Sequence, residues 1–271
     1  MLVMGIVNVT PDSFSDGGRW ATPDAAIAHG RALLREGADV LDVGGESTRP
    51  GATPVSVEEE QRRVLPVLQG LSGEHIPMSV DTMHAETARA AVAAGARYIN
   101  DVSGGLLDAG MADAVAETGA CVILSHWRGR LGGKGTGRTE YADVTNEVAQ
   151  HLAARADAFL RAGVSGDRIV LDPGLGFSKT SAQSWQLLHE VATLQGLGYP
   201  LLIGASRKRF LSEAIPEDVS DQQAARDAAT AAISVAMARR GVWGVRVHDV
   251  AGTVAAVRAT EQVEGVAGDG H

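Results

Sequence analysis

Short apolar runs recur along the chain, each closed by polar residues and separated by longer alanine-rich segments. The runs cover 2–9, 40–43, 78–80, 98–102, 121–124, 169–171, 201–203 and 245–247. Each is nearly continuous in apolar character, as expected of a strand covered on both faces. Between them, 23–36, 58–71, 85–94, 111–118, 146–162, 182–194 and 221–240 carry helical spacing. Thr22 before Pro23 predicts an N-cap with proline in the first turn. Gly37, Gly95, Gly119, Gly163 and Gly241 stand where helices should end, each a few residues before the next strand.

Eight strands alternating with helices predict an α/β fold, a (β/α)8 barrel (TIM barrel), in one domain over 1–262. Residues 263–271 read as a flexible C-terminal tail. A doubly wound open sheet is the competing arrangement. It needs a topological switch point, and eight equal repeats show no sign of one.

The polar residues are not scattered. Asn8 closes the first run, Glu46 and Ser47 follow the second, and Asp81 closes the third. Asn100 and Asp101 end the fourth, His126 follows the fifth, and Asp172 follows the sixth. Ser206, Arg207 and Lys208 follow the seventh, and Arg246, His248 and Asp249 end the eighth. In a barrel these ends meet at one rim, where active sites of the fold lie. A single polar strand end is ordinary at a water boundary. Eight together, several of them carboxylates that are costly to bury unpaired, point to a binding site. Three long segments lie at the same rim: 10–22 and 46–56, with glycine and proline, and 127–141, glycine-rich and basic, and they read as lids. For the last of these a plain surface loop competes evenly.

Composition narrows the partners. The 271 residues are 45% hydrophobic and 21% charged, with a net charge of −9. That balance argues against general nucleic-acid binding, although local Arg and Lys clusters still admit an anionic small molecule. No stretch approaches a membrane span, and the N-terminus lacks the basic leader of a signal peptide. The single cysteine, Cys121, cannot form an internal disulfide. A cytoplasmic enzyme without a membrane partner is the expectation.

Four segments carry a family resemblance: NVTPDSFSDGG at 8–18, ESTRPGA at 46–52, DPGLGFSK at 172–179 and GASRKRF at 204–210. With VDT around Asp81, IND around Asn100 and RVHD at 246–249, in order and on the right strand ends, the chain closely resembles the dihydropteroate synthases of folate biosynthesis. The resemblance implies condensation of 6-hydroxymethyl-7,8-dihydropterin diphosphate with 4-aminobenzoate, giving 7,8-dihydropteroate and diphosphate. It implies that Asp81, Asn100, Asp172 and Lys208 hold the pterin, and that Arg246 and His248 hold the diphosphate. Asn8 would supply an oxygen to Mg²⁺. Phe14, Thr48, Pro50, Phe177 and Arg209 would receive 4-aminobenzoate. Asp12, Lys208 and Arg49 would be catalytic. The route is dissociative, with loss of diphosphate before attack by the amine, and relatives of this kind form homodimers.

Departures from the family pattern leave the role of His126, in SHWRG, and covering of the barrel bottom open. His29, His75, His84, His151 and His189 read as surface or boundary residues. Two other functions compete. A barrel passing a methyl group from a folate to a corrinoid has no use for diphosphate ligands, which counts against it. A non-catalytic pterin-binding paralogue should have lost the loop motifs, which are present here.

Overall fold

The computed structural model describes residues 1–10, 22–46, 54–129 and 139–268. Eight parallel strands form one sheet: β1 (Leu2–Asn8), β2 (Val40–Gly44), β3 (Met78–Asp81), β4 (Tyr98–Asp101), β5 (Cys121–Ser125), β6 (Ile169–Asp172), β7 (Leu202–Ile203) and β8 (Gly244–Val247). Their order is β6-β5-β4-β3-β2-β1-β8-β7, with every named pairing parallel. A parallel bridge between Leu171 and Leu201 joins β6 to the β7 side and closes the ring. The chain is a (β/α)8 barrel.

Around it lie α1 (Pro23–Glu36), α2 (Val57–Leu71), α3 (Ala85–Ala93), α4 (Met111–Thr118), α5 (Val144–Arg161), α6 (Ser181–His189), α7 (Val191–Gln195), α8 (Gln222–Ala238) and α9 (Val250–Gly268). Thr22 caps α1, accepting from the Ala25 amide, with Pro23 in the first turn. Gly37 ends α1 at φ +102°, a conformation that costs glycine little. The other four glycines expected at helix ends share the left-handed region. Two elements depart from the sequence pattern. The helix expected over 182–194 is broken at Glu190 into α6 and α7. The segment expected as a tail from Val263 continues as α9 to Gly268, exposed at Val263; residues 269–271 lie outside the described residues.

The apolar runs serve two cores, separated by strand alternation. Val3, Val7, Leu41, Val43, Val80, Ile99, Val122, Leu124, Leu171, Ile203 and Val245 face outward and join the helices in one buried shell. Met4, Val40, Tyr98, Ile123, Val170 and Leu202 face inward and plug the barrel. Trp243 packs against this plug, its ring centroid 6.0 Å from that of Tyr98 at the N-terminal end of β4. The lower barrel is therefore apolar, and the inward positions nearer the C-terminal ends are left to polar residues.

Candidate active site

At the C-terminal rim a cavity of about 910 Å³ is lined from every strand or from one of the two residues after it. Asn8, Glu46, Asp81, Asn100, Ser125, Asp172, Lys208, Arg246 and His248 all face it. Phe177 and Arg209 line its outer part. The described residues expected to form a site are thus brought together. Asp12, Phe14, Thr48, Arg49 and Pro50 lie outside the described residues.

Three expected rim residues, Asp249, Asp101 and His126, do other work; His126 is buried and lies 2.9 Å from Lys179 Nζ. Asp249 accepts from the Gly252 amide at 3.0 Å and caps α9. Asp101 is fully buried; its oxygens accept from Ser103 N (2.8 Å), Ser103 Oγ (2.6 Å) and Gly105 N (2.7 Å). It folds the turn after β4 and is not among the cavity residues.

A third carboxylate was hidden in the sequence. Asp42 stands in the middle of β2 at 0% exposure, its side chain on the inward set with Val40 and Gly44. Its Oδ2 accepts from Arg246 Nε at 2.6 Å and from Asn100 Nδ2 at 3.0 Å. Arg246 Nη2 donates to Asp81 Oδ2 at 2.8 Å. One guanidinium therefore bridges two buried carboxylates, and one of those also fixes Asn100. Burial pushes the Asp81 carboxyl up to about 7; Arg246 opposes the shift and the nearby charge of Asp42 adds to it.

On the opposite wall, Asp172 Oδ1 accepts from the Gly174 amide at 2.7 Å. Burial raises its pKa, with Lys208 opposing. Lys208 reaches the cavity beside a residue that is held in place. Arg207, at φ +57°, forms a two-pronged pair with Asp227 of α8 (2.7 and 2.8 Å). Lys208 Nζ donates to Leu175 O and lies 4.5 Å from the Phe177 ring centre. Burial lowers this amine to about 8, against the pull of Asp172. Asp172 and Lys208 meet over Gly204, where a Cβ would lie 3.5 Å from Asp172 Oδ2 and 3.8 Å from Lys208 Nζ. His248 is held by Ser206, whose Oγ lies 2.9 Å from its Nδ1 and accepts from its amide at 3.1 Å.

The wall thus offers carboxylates and an amide to a donor-rich ring edge, and a guanidinium, an amine and an imidazole to an anion. This is the donor set of a heterocycle carrying a phosphorylated tail. The Pterin binding enzyme family model matches residues 4–248. The dihydropteroate synthase of Mycobacterium leprae (strain TN) is 45% identical over 277 residues, covering 99% of this chain and 98% of that protein. The chain belongs to the dihydropteroate synthase family. The Streptococcus pyogenes serotype M3 (strain MGAS315) dihydropteroate synthase is 43% identical, covering 92% of this chain and 90% of its own. Xanthomonas albilineans dihydropteroate synthase, solved with 4-aminobenzoic acid, superposes with a TM-score of 0.88 at 47% identity over 97% of this chain and 93% of its own. A structure of that enzyme with 7,8-dihydropteroate gives a TM-score of 0.85 at 44% identity, with the same two coverages.

The family implies Mg²⁺, and the structure bears on where an ion would fit. Asn8 Oδ1 and Asp81 Oδ2 flank Gly44, at 3.8 and 3.7 Å from the point a Cβ would occupy. A neutral amide oxygen beside a carboxylate at the mouth suits an ion that takes its other ligands from water and substrate phosphates. A second cluster lies beside the cavity, which Glu46 also lines. Ligand atoms of Glu46, Glu60 and His84 fall within 4.8 Å of one another. There Glu60 Oε2 accepts from Thr82 Oγ1 at 2.9 Å and lies 3.0 Å from His84 Nδ1. His84, read as a boundary residue, is partly buried by this contact.

Proposed function

We propose that this chain condenses 6-hydroxymethyl-7,8-dihydropterin diphosphate with 4-aminobenzoate, releasing diphosphate and 7,8-dihydropteroate. The observation that carries the reading is the meeting of Asp81, Asn100, Asp172, Lys208, Arg246 and His248 on one cavity. The family supports it throughout: relatives at 45% identity over nearly the whole chain are dihydropteroate synthases.

The pterin is a flat ring whose amino-pyrimidinone edge presents parallel N–H donors. Asp172 accepts from that edge, and a carboxylate is the acceptor that can take two such bonds at once. Asp81 and Asn100 meet the other edges, and Lys208 donates to the carbonyl side. Arg246 and His248 hold the departing diphosphate. Asn8 would hold Mg²⁺, which when bound neutralises charge on the phosphates. The C–O bond breaks first because the dihydropterin ring spreads positive charge from its methylene carbon. An arylamine is nucleophilic as it stands, so catalysis rests on positioning, leaving-group neutralisation and exclusion of water. The arylamine lies against Phe177, with its carboxylate toward Arg209. Asp12 and Arg49 as catalytic groups, and Phe14, Thr48 and Pro50 at the arylamine, rest on the sequence resemblance. So do a homodimeric state and a cytoplasmic setting. No helix of the described residues is long and apolar enough to cross a membrane. One domain, 1–262, carries the whole site.

The test is product formation. Purified protein with the pterin diphosphate, Mg²⁺ and 4-aminobenzoate should yield dihydropteroate by mass spectrometry, and diphosphate release should depend on the amine. Release indifferent to the amine, with no dihydropteroate, would overturn the assignment.

A further inference from the structure

Beneath the turn that carries Phe177 lies a buried amine that the reaction described above leaves without a role. Lys179 is 8% exposed. Its Nζ lies 2.9 Å from His126 Nδ1 and donates to Gly174 O at 3.0 Å and to Phe177 O at 3.1 Å. Burial pushes the Lys179 amine well below the ordinary lysine range, with the nearby charge of Lys208 adding to the shift; in its protonated form it has three donors, and these three acceptors take all of them. Gly174 and Phe177 are the two ends of one turn, since Phe177 N donates to Gly174 O at 3.1 Å. Gly176 fills its third position at φ +74°, as a type II turn requires. Lys179 therefore ties down the carbonyls at both ends of the turn.

The other side of that turn is the wall of the site. Leu175 O accepts from Lys208 Nζ, and the Phe177 ring lies close to the same amine. His126 gives the clamp a fixed base. Its amide donates to Asp172 O at 2.9 Å, and its ring meets His151 edge-on at 4.6 Å. Burial first, and then the charge of Lys179, hold its pKa down at about 2, so the ring is neutral and can present Nδ1 as an acceptor. Gly174 packs directly on the His126 carbonyl, where any Cβ would collide. Tyr141 adds a strut by donating its hydroxyl to Ser178 O at 3.0 Å.

We propose that Lys179 is a positioning residue of the arylamine subsite: braced on His126, it fixes the 174–177 turn and so sets where Phe177 meets 4-aminobenzoate. The inference rests on the function proposed above. It predicts that 4-aminobenzoate is affected more than the pterin, because Asp81 and Asn100 sit on strands that the clamp does not touch, while Asp172 and Lys208 meet the turn at the Gly174 amide and Leu175 O.

The test compares full-length wild type with Lys179→Met, Lys179→Arg and Lys179→Ala. Steady-state rates are measured with both substrates varied, and 6-hydroxymethyl-7,8-dihydropterin binding is titrated by calorimetry. Lys179→Met should raise KM for 4-aminobenzoate by about tenfold or more, the scale of a lost hydrogen bond to a charged group. Pterin Kd should stay within about threefold, less than half a decade in free-energy terms. Arginine should recover part of the loss, and added ethylammonium should recover part of it in Lys179→Ala. In a His126→Asn background the Lys179→Met effect should shrink, since the two act as one unit. If Lys179→Met alone fails to fold, Lys179→Arg and His126→Asn as single variants carry the same test. An unchanged KM overturns the inference, and so does a parallel loss of pterin affinity and melting temperature with no amine rescue. A wild type that makes no dihydropteroate would instead overturn the function itself.

Discussion

Replacing Asp42 by asparagine keeps the shape of the side chain and removes its charge at the centre of the polar layer. Arg246 would then keep one carboxylate, Asp81 at 2.8 Å, and lose the charge of its 2.6 Å partner. A hydrogen bond to a charged group contributes about 1.5–3 kcal/mol, and the lower part of that range applies because Asp81 remains. The amide oxygen would take the place of Oδ2, where Arg246 and Asn100 both donate. The amide nitrogen would then occupy the place of Oδ1, which is buried with no partner. An unpaired buried donor costs about 1–3 kcal/mol. Since the two effects share one site they do not simply add, and a loss of about 2–4 kcal/mol in unfolding free energy follows. The same change acts on Asp81. Its carboxyl sits at about 7 through burial first, with the charge of Asp42 among the causes that raise it. Ionised Asp81 is the form that accepts from the pterin, so kcat/KM for the pterin diphosphate should fall as pH drops through about 7. In Asp42→Asn that acid limb should move to lower pH. Urea unfolding and a pH–rate profile read both effects. A variant within about 0.5 kcal/mol of wild type, the range of a neutral surface change, with an unmoved limb would refute this account of the layer.

Lys208→Ala should lower turnover by about 10²-fold or more while keeping the fold by circular dichroism, as removal of a positioned charge does in an active site; wild-type turnover would refute its role. His126→Gln tests acid stability. The folded-state pKa of His126 is depressed to about 2, and that of His151 to about 4, chiefly by burial. Their stabilisation is present above the unfolded value of about 6.5 and is lost as pH falls toward the folded values. Denaturant titrations between about pH 6.5 and 4 should therefore show wild-type stability dropping with acid, with a shallower slope in His126→Gln; equal slopes would contradict a buried neutral His126.

The barrel was legible because both of its cores draw on the same apolar runs and because glycines with left-handed backbone punctuate the helices. The rim was legible because polar residues stand at strand ends. Asp42 escaped because it lies mid-strand in VLDVG, where a lone carboxylate looks like an interruption of a run. Strand alternation is the signal that could have found it, since Asp42 falls on the inward set with Val40. Asp101 and Asp249 show the opposite error: position at a strand end does not tell a ligand from a cap. The break between α6 and α7 and the course of α9 were missed because alanine and valine spacing alone marks neither the kink at Glu190 nor an end before Gly268. His151 and His84 looked bland because their partners, His126 and Glu60, are distant in sequence. Lys179 stood in the sequence only as the last residue of DPGLGFSK, since nothing local reveals that three acceptors converge on its amine.

The central claim is that strand-end side chains converge on one pterin. A crystal structure with 7,8-dihydropteroate and diphosphate tests it most directly. The account predicts the pterin edge within about 3 Å of polar atoms of Asp81, Asn100, Asp172 and Lys208, with diphosphate against Arg246 and His248. Product bound away from these side chains, or a pterin facing the opposite end of the barrel, would contradict it.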